Sequence, residues 1–365
     1  MYFDHAATTP IRQVARDAWL AASEFLNPAG QYAAGRVANR ALSEAREAVA
    51  SLLDCEPIEV IFTGSGTEAD NLAIQGLFRQ SELSRVVSTE IEHPAVLETV
   101  AALGADVKML PLADGRVSSF EPLAEPAALA TCMWANNETG IIQPVHELVR
   151  AAGQTPVHVD AVQAVGHIPV SFASLGATTL AASAHKFGGP RGVGILLARR
   201  SGVAPTLFGG GQQRGIRPGT VDVAGAVATA AALREAVAEI ETERARLSEL
   251  RDRLRAGIER IDGAVIHSTG DLLPGHLLVS FPGAEGDSLI MLLDMLGVAA
   301  STGSACASGV NRASHVLLAM GVPEDVARGA LRLTLGRTTT PEEVEFLLAH
   351  LGGVVRQARE AGMAI

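Results

Sequence analysis

Val60-Ile61-Phe62-Thr63-Gly64-Ser65-Gly66-Thr67-Glu68-Ala69-Asp70-Asn71 reads as a short apolar strand, a glycine turn and the start of a helix. Such a unit belongs to an α/β sheet. A helix N-terminus presents unpaired backbone N–H groups and the positive end of the helix dipole. Gly66 and the Thr67 hydroxyl therefore stand where a phosphate dianion would bind. An ordinary capped helix carries the same letters, so the rest of the chain has to choose between the two readings.

Two further strand ends supply different chemistry. Val157-His158-Val159-Asp160 alternates like a short buried strand and ends in an aspartate, where α/β sheets place functional groups. Ser183-Ala184-His185-Lys186 precedes the glycine-rich run Phe187-Gly188-Gly189-Pro190-Arg191-Gly192-Val193-Gly194. A lysine that forms a Schiff base has to lose its proton at neutral pH, and burial in a restricted site achieves that. A phosphate cradle, a carboxylate and such a lysine together point to pyridoxal phosphate. Asp160 would keep the pyridine nitrogen protonated, so that the ring accepts electrons from the substrate carbon. Ser183 and His185 would donate to the phosphate, and the Gln163 amide to the ring hydroxyl oxygen, although a solvated glutamine reads the same. His93, in Thr89-Glu90-Ile91-Glu92-His93-Pro94-Ala95-Val96, follows a strand through Val86 and Val87 and precedes a helical pattern. Its ring suits stacking on the pyridine face, while a helix cap or a surface group is the plainer alternative.

These segments combine with Phe3-Asp4-His5-Ala6-Ala7-Thr8-Thr9-Pro10, Asn136-Asn137-Glu138-Thr139-Gly140, Gly209-Gly210-Gly211-Gln212 and Arg217-Pro218-Gly219-Thr220. Ser301-Thr302-Gly303-Ser304-Ala305-Cys306 and Leu331-Arg332-Leu333-Thr334-Leu335-Gly336-Arg337 complete the series. In this order the chain resembles, nearly end to end, the cysteine desulfurases, pyridoxal phosphate enzymes of the class V aminotransferase superfamily. The resemblance implies the aspartate aminotransferase-like fold: a large domain with a mainly parallel sheet flanked by helices, plus a smaller α/β domain. It matches Lys186 to the Schiff-base lysine, Asp160 to the pyridinium partner, Gln163 to the ring-hydroxyl partner and His93 to the stacking group. Gly66, Thr67, Ser183 and His185 match the phosphate cup. Thr220 matches a threonine that reaches the phosphate of the neighbouring subunit, which implies a homodimer. Asn137 and Arg332 match the groups that hold the substrate carboxylate, a task suited to the planar guanidinium fork. Two departures from the family pattern are Gly64-Ser65-Gly66 in place of a Ser-Gly-Ala order, and Arg191 where lysine is common.

Cys306 decides the reaction. The stretch 301–313 is almost wholly Ser, Thr, Gly, Ala and Asn, without apolar periodicity, and is expected to form an exposed mobile loop. Cys55 and Cys132 lie near apolar patterns and read as inert packing. The expected activity is conversion of L-cysteine to L-alanine. Sulfur passes to Cys306 as a persulfide and then to an acceptor protein, either a scaffold for iron–sulfur cluster assembly or an enzyme of tRNA or cofactor thiolation. The spacing from Cys306 to Ser314-His315-Val316-Leu317 resembles the long-loop group of housekeeping sulfur donors. Family members serving a cluster scaffold often carry a longer tail than one ending at Ile365, so other destinations stand beside cluster assembly. No metal set is expected beyond transient iron–sulfur ligation at Cys306. The alternatives are a selenocysteine lyase or aminotransferase on the same fold, and a non-catalytic sulfur-relay binding protein.

A chain of 365 residues, 48% hydrophobic, can bury two domain cores, and its formal charge of -11 argues against a general nucleic-acid surface. Met1-Tyr2-Phe3-Asp4-His5 has neither a basic start nor an apolar signal core, and no apolar run is long enough to span a bilayer. A cytoplasmic, membrane-free protein is therefore expected. The pattern is mostly helical from Asp17 to Asp54, and short strands then alternate with helices up to Val203. A long charged helical stretch from Ala224 to Glu259 joins the two cores. The expected division is 14–245 for the large cofactor-binding domain, with 1–13 and 246–365 forming the small one.

Overall fold

The computed structural model describes residues 1–200, 202–303 and 313–362, so Cys306 and most of the 301–313 stretch lie outside the described residues. Seven apolar runs form the main sheet, in the order Val60–Thr63, Gly194–Ala198, Thr179–Ser183, Val157–Asp160, Leu129–Met133, Arg85–Ser88, Asp106–Met109. The strands from Thr179–Ser183 to Asp106–Met109 pair in parallel. Gly194–Ala198 runs against both neighbours, and the sheet is mainly parallel as anticipated. The central strands are buried along their whole length, which requires cover on both faces. Parallel strands share one carboxyl edge. Thr63, Ser88, Met133, Asp160 and Ser183 all end there, and each is followed by a loop or turn carrying a candidate functional group.

The edge strand Val60–Thr63 is closed by side chains. The Phe62 N–H donates to Gln213 Oε1 at 3.2 Å, the Gln213 amide donates back to the Phe62 carbonyl at 2.5 Å, and Arg46 donates to the Val60 carbonyl. This caps the row of backbone groups that an open edge would expose. Gln213 and Arg214 sit in the left-handed region, at φ 53° and 61°, a conformation that costs an L-residue roughly 1–2 kcal/mol. The Arg214 guanidinium offsets that strain by donating to the carbonyls of Ala198, Arg199 and Arg200 at 2.8–3.0 Å. The same loop brings Arg217 to Glu68, in the first turn of the helix Gly66–Arg79, at 2.8 Å.

A second, antiparallel sheet contains Val265–Ile266, His276–Ser280 and Ala330–Thr334. The 36-residue helix Val223–Ile258 serves both cores. Its first half, through Ala236, packs with the main sheet, while Leu247, Leu250, Leu254 and Ile258 pack with Leu277, Val279 and Leu333. Phe3 belongs to that second core because Tyr2 and Asp4 pair with Ala299 and Thr334. The stretch expected to be mostly helical from Asp17 onward is in fact two helices, Gln13–Ala22 and Ala33–Leu52. Asn27-Pro28-Ala29-Gly30 breaks it: the Asn27 side chain accepts from the Ala29 N–H at 2.9 Å, an Asx turn that competes with helix. No helix among the described residues is long and apolar enough to cross a membrane.

Candidate active site

A cavity of about 230 Å³ opens at the carboxyl edge of the main sheet. Gly66, Thr67, His93, Asn137, Asp160, Gln163, Ser183, His185 and Lys186 all line it. The strand Val60–Thr63 delivers the first two, on a helix that Ser65 caps by accepting from the Glu68 N–H at 3.0 Å. The first-turn amides of Gly66 and Thr67 have no intrahelical acceptor. A Cβ on Gly66 would lie 2.8 Å from Val162 Cγ2 and 3.2 Å from Ser183 Cβ, so a methyl fits only if the Val162 side chain shifts, and a larger side chain would push into the neighbouring strand ends. Gly66→Val, whose branched side chain needs more room than Val162 and Ser183 leave, is accordingly expected to weaken binding of pyridoxal phosphate by about tenfold, read by equilibrium dialysis. Unchanged affinity would remove Gly66 from the cradle.

Lys186 ends the helical turn Ala184–Lys186 that follows Thr179–Ser183. Its Nζ donates to the carbonyls of Ala6 at 2.6 Å and Ala7 at 3.0 Å, so the N-terminal segment forms part of the site. Burial, helped by the Arg332 charge, brings the ammonium down to about 8, against the opposing pull of Asp160 and Asp4. A neutral, nucleophilic amine is therefore within reach near physiological pH.

Asp160 is 5% exposed, and its Oδ1 accepts from the Val162 N–H at 2.9 Å. Burial raises its pKa, while His93, the Val162 N–H and Lys186 favour the charged form. His93 caps the helix Pro94–Ala102, its Nδ1 accepting from the Ala95 N–H at 3.0 Å. The plain capping reading of that histidine and its place in the cavity wall thus hold together. With Nδ1 an acceptor, the neutral ring carries its proton on Nε2, and burial keeps the ring neutral by lowering its pKa. The Gln163 amide donates to the Ala6 carbonyl at 3.0 Å, the same oxygen that accepts from Lys186. His185 Nδ1 is paired with Thr8 Oγ1 at 3.2 Å.

Arg332 lies beside this wall. Its guanidinium donates to the Asn137 carbonyl at 2.9 Å and to Asp4 Oδ1 at 2.7 Å, and its buried Nε has no partner among the described residues. Thr220 is not brought into the cavity: it is exposed and lines a separate hollow with Gln212, Gln213 and Arg46.

Several groups here gave no sequence signal. Asp70, on the helix Gly66–Arg79, meets His158 Nε2 at 3.1 Å, and His158 Nδ1 meets Thr179 Oγ1 at 2.9 Å. Burial raises the Asp70 pKa and pushes His158 down to about 3. Glu92 is fully buried, accepts from Thr89 Oγ1 and the Met133 N–H, and is pushed by burial up to about 8. Asp70 and Asp160 line the cavity while Glu92 lies behind it, and Asp160 is the carboxylate whose charged form Lys186 and His93 favour. Burial also pushes the Cys55 thiol to about 12 and the Cys132 thiol well up, which makes both poor nucleophiles.

The cavity suits pyridoxal phosphate on its own geometry. It has free first-turn amides beginning at a tightly packed glycine, a buried carboxylate at a strand end, and a lysine whose proton is loosely held. The comparisons agree. Residues 1–347 match the family described as aminotransferase class-V. An IscS-like cysteine desulfurase of Mycobacterium tuberculosis (strain ATCC 25618 / H37Rv) is 46% identical over 100% of this chain and 98% of its own length. The cysteine desulfurase IscS of Dictyoglomus turgidum (strain DSM 6724 / Z-1310) is 38% identical over 98% and 95% of the two chains. A solved NifS-like protein superposes with a TM-score of 0.91 at 35% identity, covering 98% of this chain and 99% of that one. The chain belongs to the pyridoxal phosphate-dependent class-V aminotransferase family, among its IscS- and NifS-like cysteine desulfurases.

Proposed function

We propose that this protein takes the sulfur from L-cysteine, releases L-alanine and holds the sulfur as a persulfide on Cys306 before an acceptor collects it. The observation that carries the reading is the half-buried Lys186, which shares one cavity wall with Asp160, its ammonium brought down to about 8 by burial and the Arg332 charge.

Gly66, Thr67, Ser183 and His185 would hold the cofactor phosphate, Asp160 the ring nitrogen, Gln163 the ring hydroxyl, and Lys186 the aldehyde carbon. Bound there, pyridoxal phosphate supplies an electron sink for bond changes at the substrate carbon. Arg332 and Asn137 fix the substrate carboxylate, the guanidinium being oriented by the Asn137 carbonyl and Asp4. Lys186, once its amine is free, takes the Cα proton. His93, neutral with its proton on Nε2, serves as a proton carrier for the substrate sulfur. The Cys306 thiolate attacks that sulfur: an S–S bond forms, the substrate C–S bond breaks, and the carbon side takes up a proton on its way to alanine. An exposed Thr220 outside its own cavity supports a contact with a second subunit.

Incubation with L-cysteine should yield alanine, with a trapped persulfide mapped to Cys306 by mass spectrometry. Cys306→Ala should keep the cofactor absorbance and lose at least ~10³-fold in turnover. Turnover retained in that variant would overturn the role of Cys306. An intact cofactor band without alanine would shift the reading to another amine substrate.

A further inference from the structure

Glu138 follows Asn137, is 1% exposed and is not among the residues that line the cavity. A buried carboxylate is costly unless specific donors hold it. Its Oε2 accepts from Ser314 Oγ at 2.5 Å. The same oxygen would lie 2.8 Å from a Cβ on Gly303, and with Gly303 at φ +87° only glycine passes there without strain. Gly303 and Ser314 are the described residues that bracket 304–312, apart from Ala313, and both converge on one carboxylate oxygen.

The surrounding bonds tie that oxygen to the substrate wall. The Ser301 carbonyl accepts from the Arg332 N–H at 2.6 Å, and Gly303 donates to Ser301 Oγ at 3.1 Å. The Arg332 guanidinium donates to the carbonyl of Asn137, the residue just before Glu138. On the other side Ser314 caps the turn His315–Ala319, and His315 Nε2 donates to the Glu92 carbonyl at 3.0 Å. Hydrogen bonds thus link Asn137, Arg332, Ser301 and Gly303, while the Glu138 carboxylate, next in the chain to Asn137, accepts from Ser314 and packs close against Gly303.

We propose that Glu138 is a positioning residue for sulfur transfer, fixing Gly303 and Ser314 against the wall that binds the substrate carboxylate. The inference rests on Cys306 as the sulfur acceptor. Three residues of chain, at most ~11 Å of extended backbone, connect Gly303 to Cys306, so the place where Gly303 is held limits where that thiol can reach.

The test compares wild-type holoenzyme with Glu138→Ala, Ser314→Ala, the double variant, Glu138→Gln and Cys306→Ala. The readouts are the cofactor band, the L-cysteine concentration giving half of the spectral change, and the rate of persulfide formation. Glu138→Ala and Ser314→Ala should keep the band and half-saturation within about threefold, yet form persulfide ~30- to 100-fold more slowly, the scale of a 1 Å misplacement. The double variant should be no slower than either single one, and Glu138→Gln, which still offers Ser314 an acceptor, should recover most of the rate. Wild-type persulfide rates in both alanine variants would overturn the proposal. So would a loss that only tracks cofactor or cysteine binding. Ser314→Ala alone decides if Glu138→Ala does not fold. Persulfide formation undiminished in Cys306→Ala would instead overturn the underlying reading, and is seen separately.

Discussion

Lys186→Ala is expected to lose the visible absorbance of bound cofactor and to slow alanine release from L-cysteine by at least ~10³-fold. The amine carries two tasks, holding the cofactor and moving the Cα proton, and its removal also leaves the Ala6 and Ala7 carbonyls without their donor. The pH dependence of the wild-type chain offers a second view. Burial lowers the ammonium to about 8, so the neutral fraction rises roughly tenfold per pH unit below that value and levels above it. Capture of added pyridoxal phosphate by the cofactor-free chain should follow that curve, measured by stopped-flow absorbance. A capture rate flat between pH 6 and about 9 would mean that Lys186 is not the group whose proton limits the step.

The residues legible from sequence share a location. Thr63, Asp160 and Ser183 end strands, and a functional group at or just past a strand end leaves a mark: an apolar run that stops at a polar residue. Gly66, His93, Gln163 and Lys186 follow by continuity, Asn137 was picked out by the family resemblance, and all five line one cavity. The direction of Gly194–Ala198 left no such mark, because a run buried on both faces has the same apolar pattern whichever way it points. Contacts between distant segments were equally silent. Asp70 looks like any residue in the second turn of a helix until His158, 88 positions away, meets it. Glu138 reads as part of a turn until Ser314 closes on it. The Ala6 and Ala7 carbonyls carry no side-chain signal at all, yet they hold the central lysine. Gln163 was legible as a donor, and what sequence did not supply was its acceptor in this chain, the Ala6 carbonyl.

Asp160→Asn should separate chemistry from folding. The amide keeps the carboxylate's shape and still offers an oxygen to the Val162 N–H, so the strand end and the cavity wall stay in place. What it removes is the negative charge that would hold a proton on the cofactor ring, and turnover should fall by ~10²–10³-fold, the scale of losing one preorganised electrostatic partner. Stability should move the other way. In the cofactor-free chain that charge is buried, and burial disfavours its ionised form against the opposing pull of His93, the Val162 N–H and Lys186. Sign follows from direction: a carboxylate whose folded pKa is raised withdraws stability as pH climbs above its unfolded value near 4. The Asn variant lacks that penalty, so its cofactor-free melting temperature should exceed wild type at pH 8 and the gap should narrow toward pH 4. Opposite movements of turnover and melting temperature would identify Asp160 as a group kept for function at a cost to the fold. A parallel loss of both would make it a structural residue, and the pyridine nitrogen would need another partner.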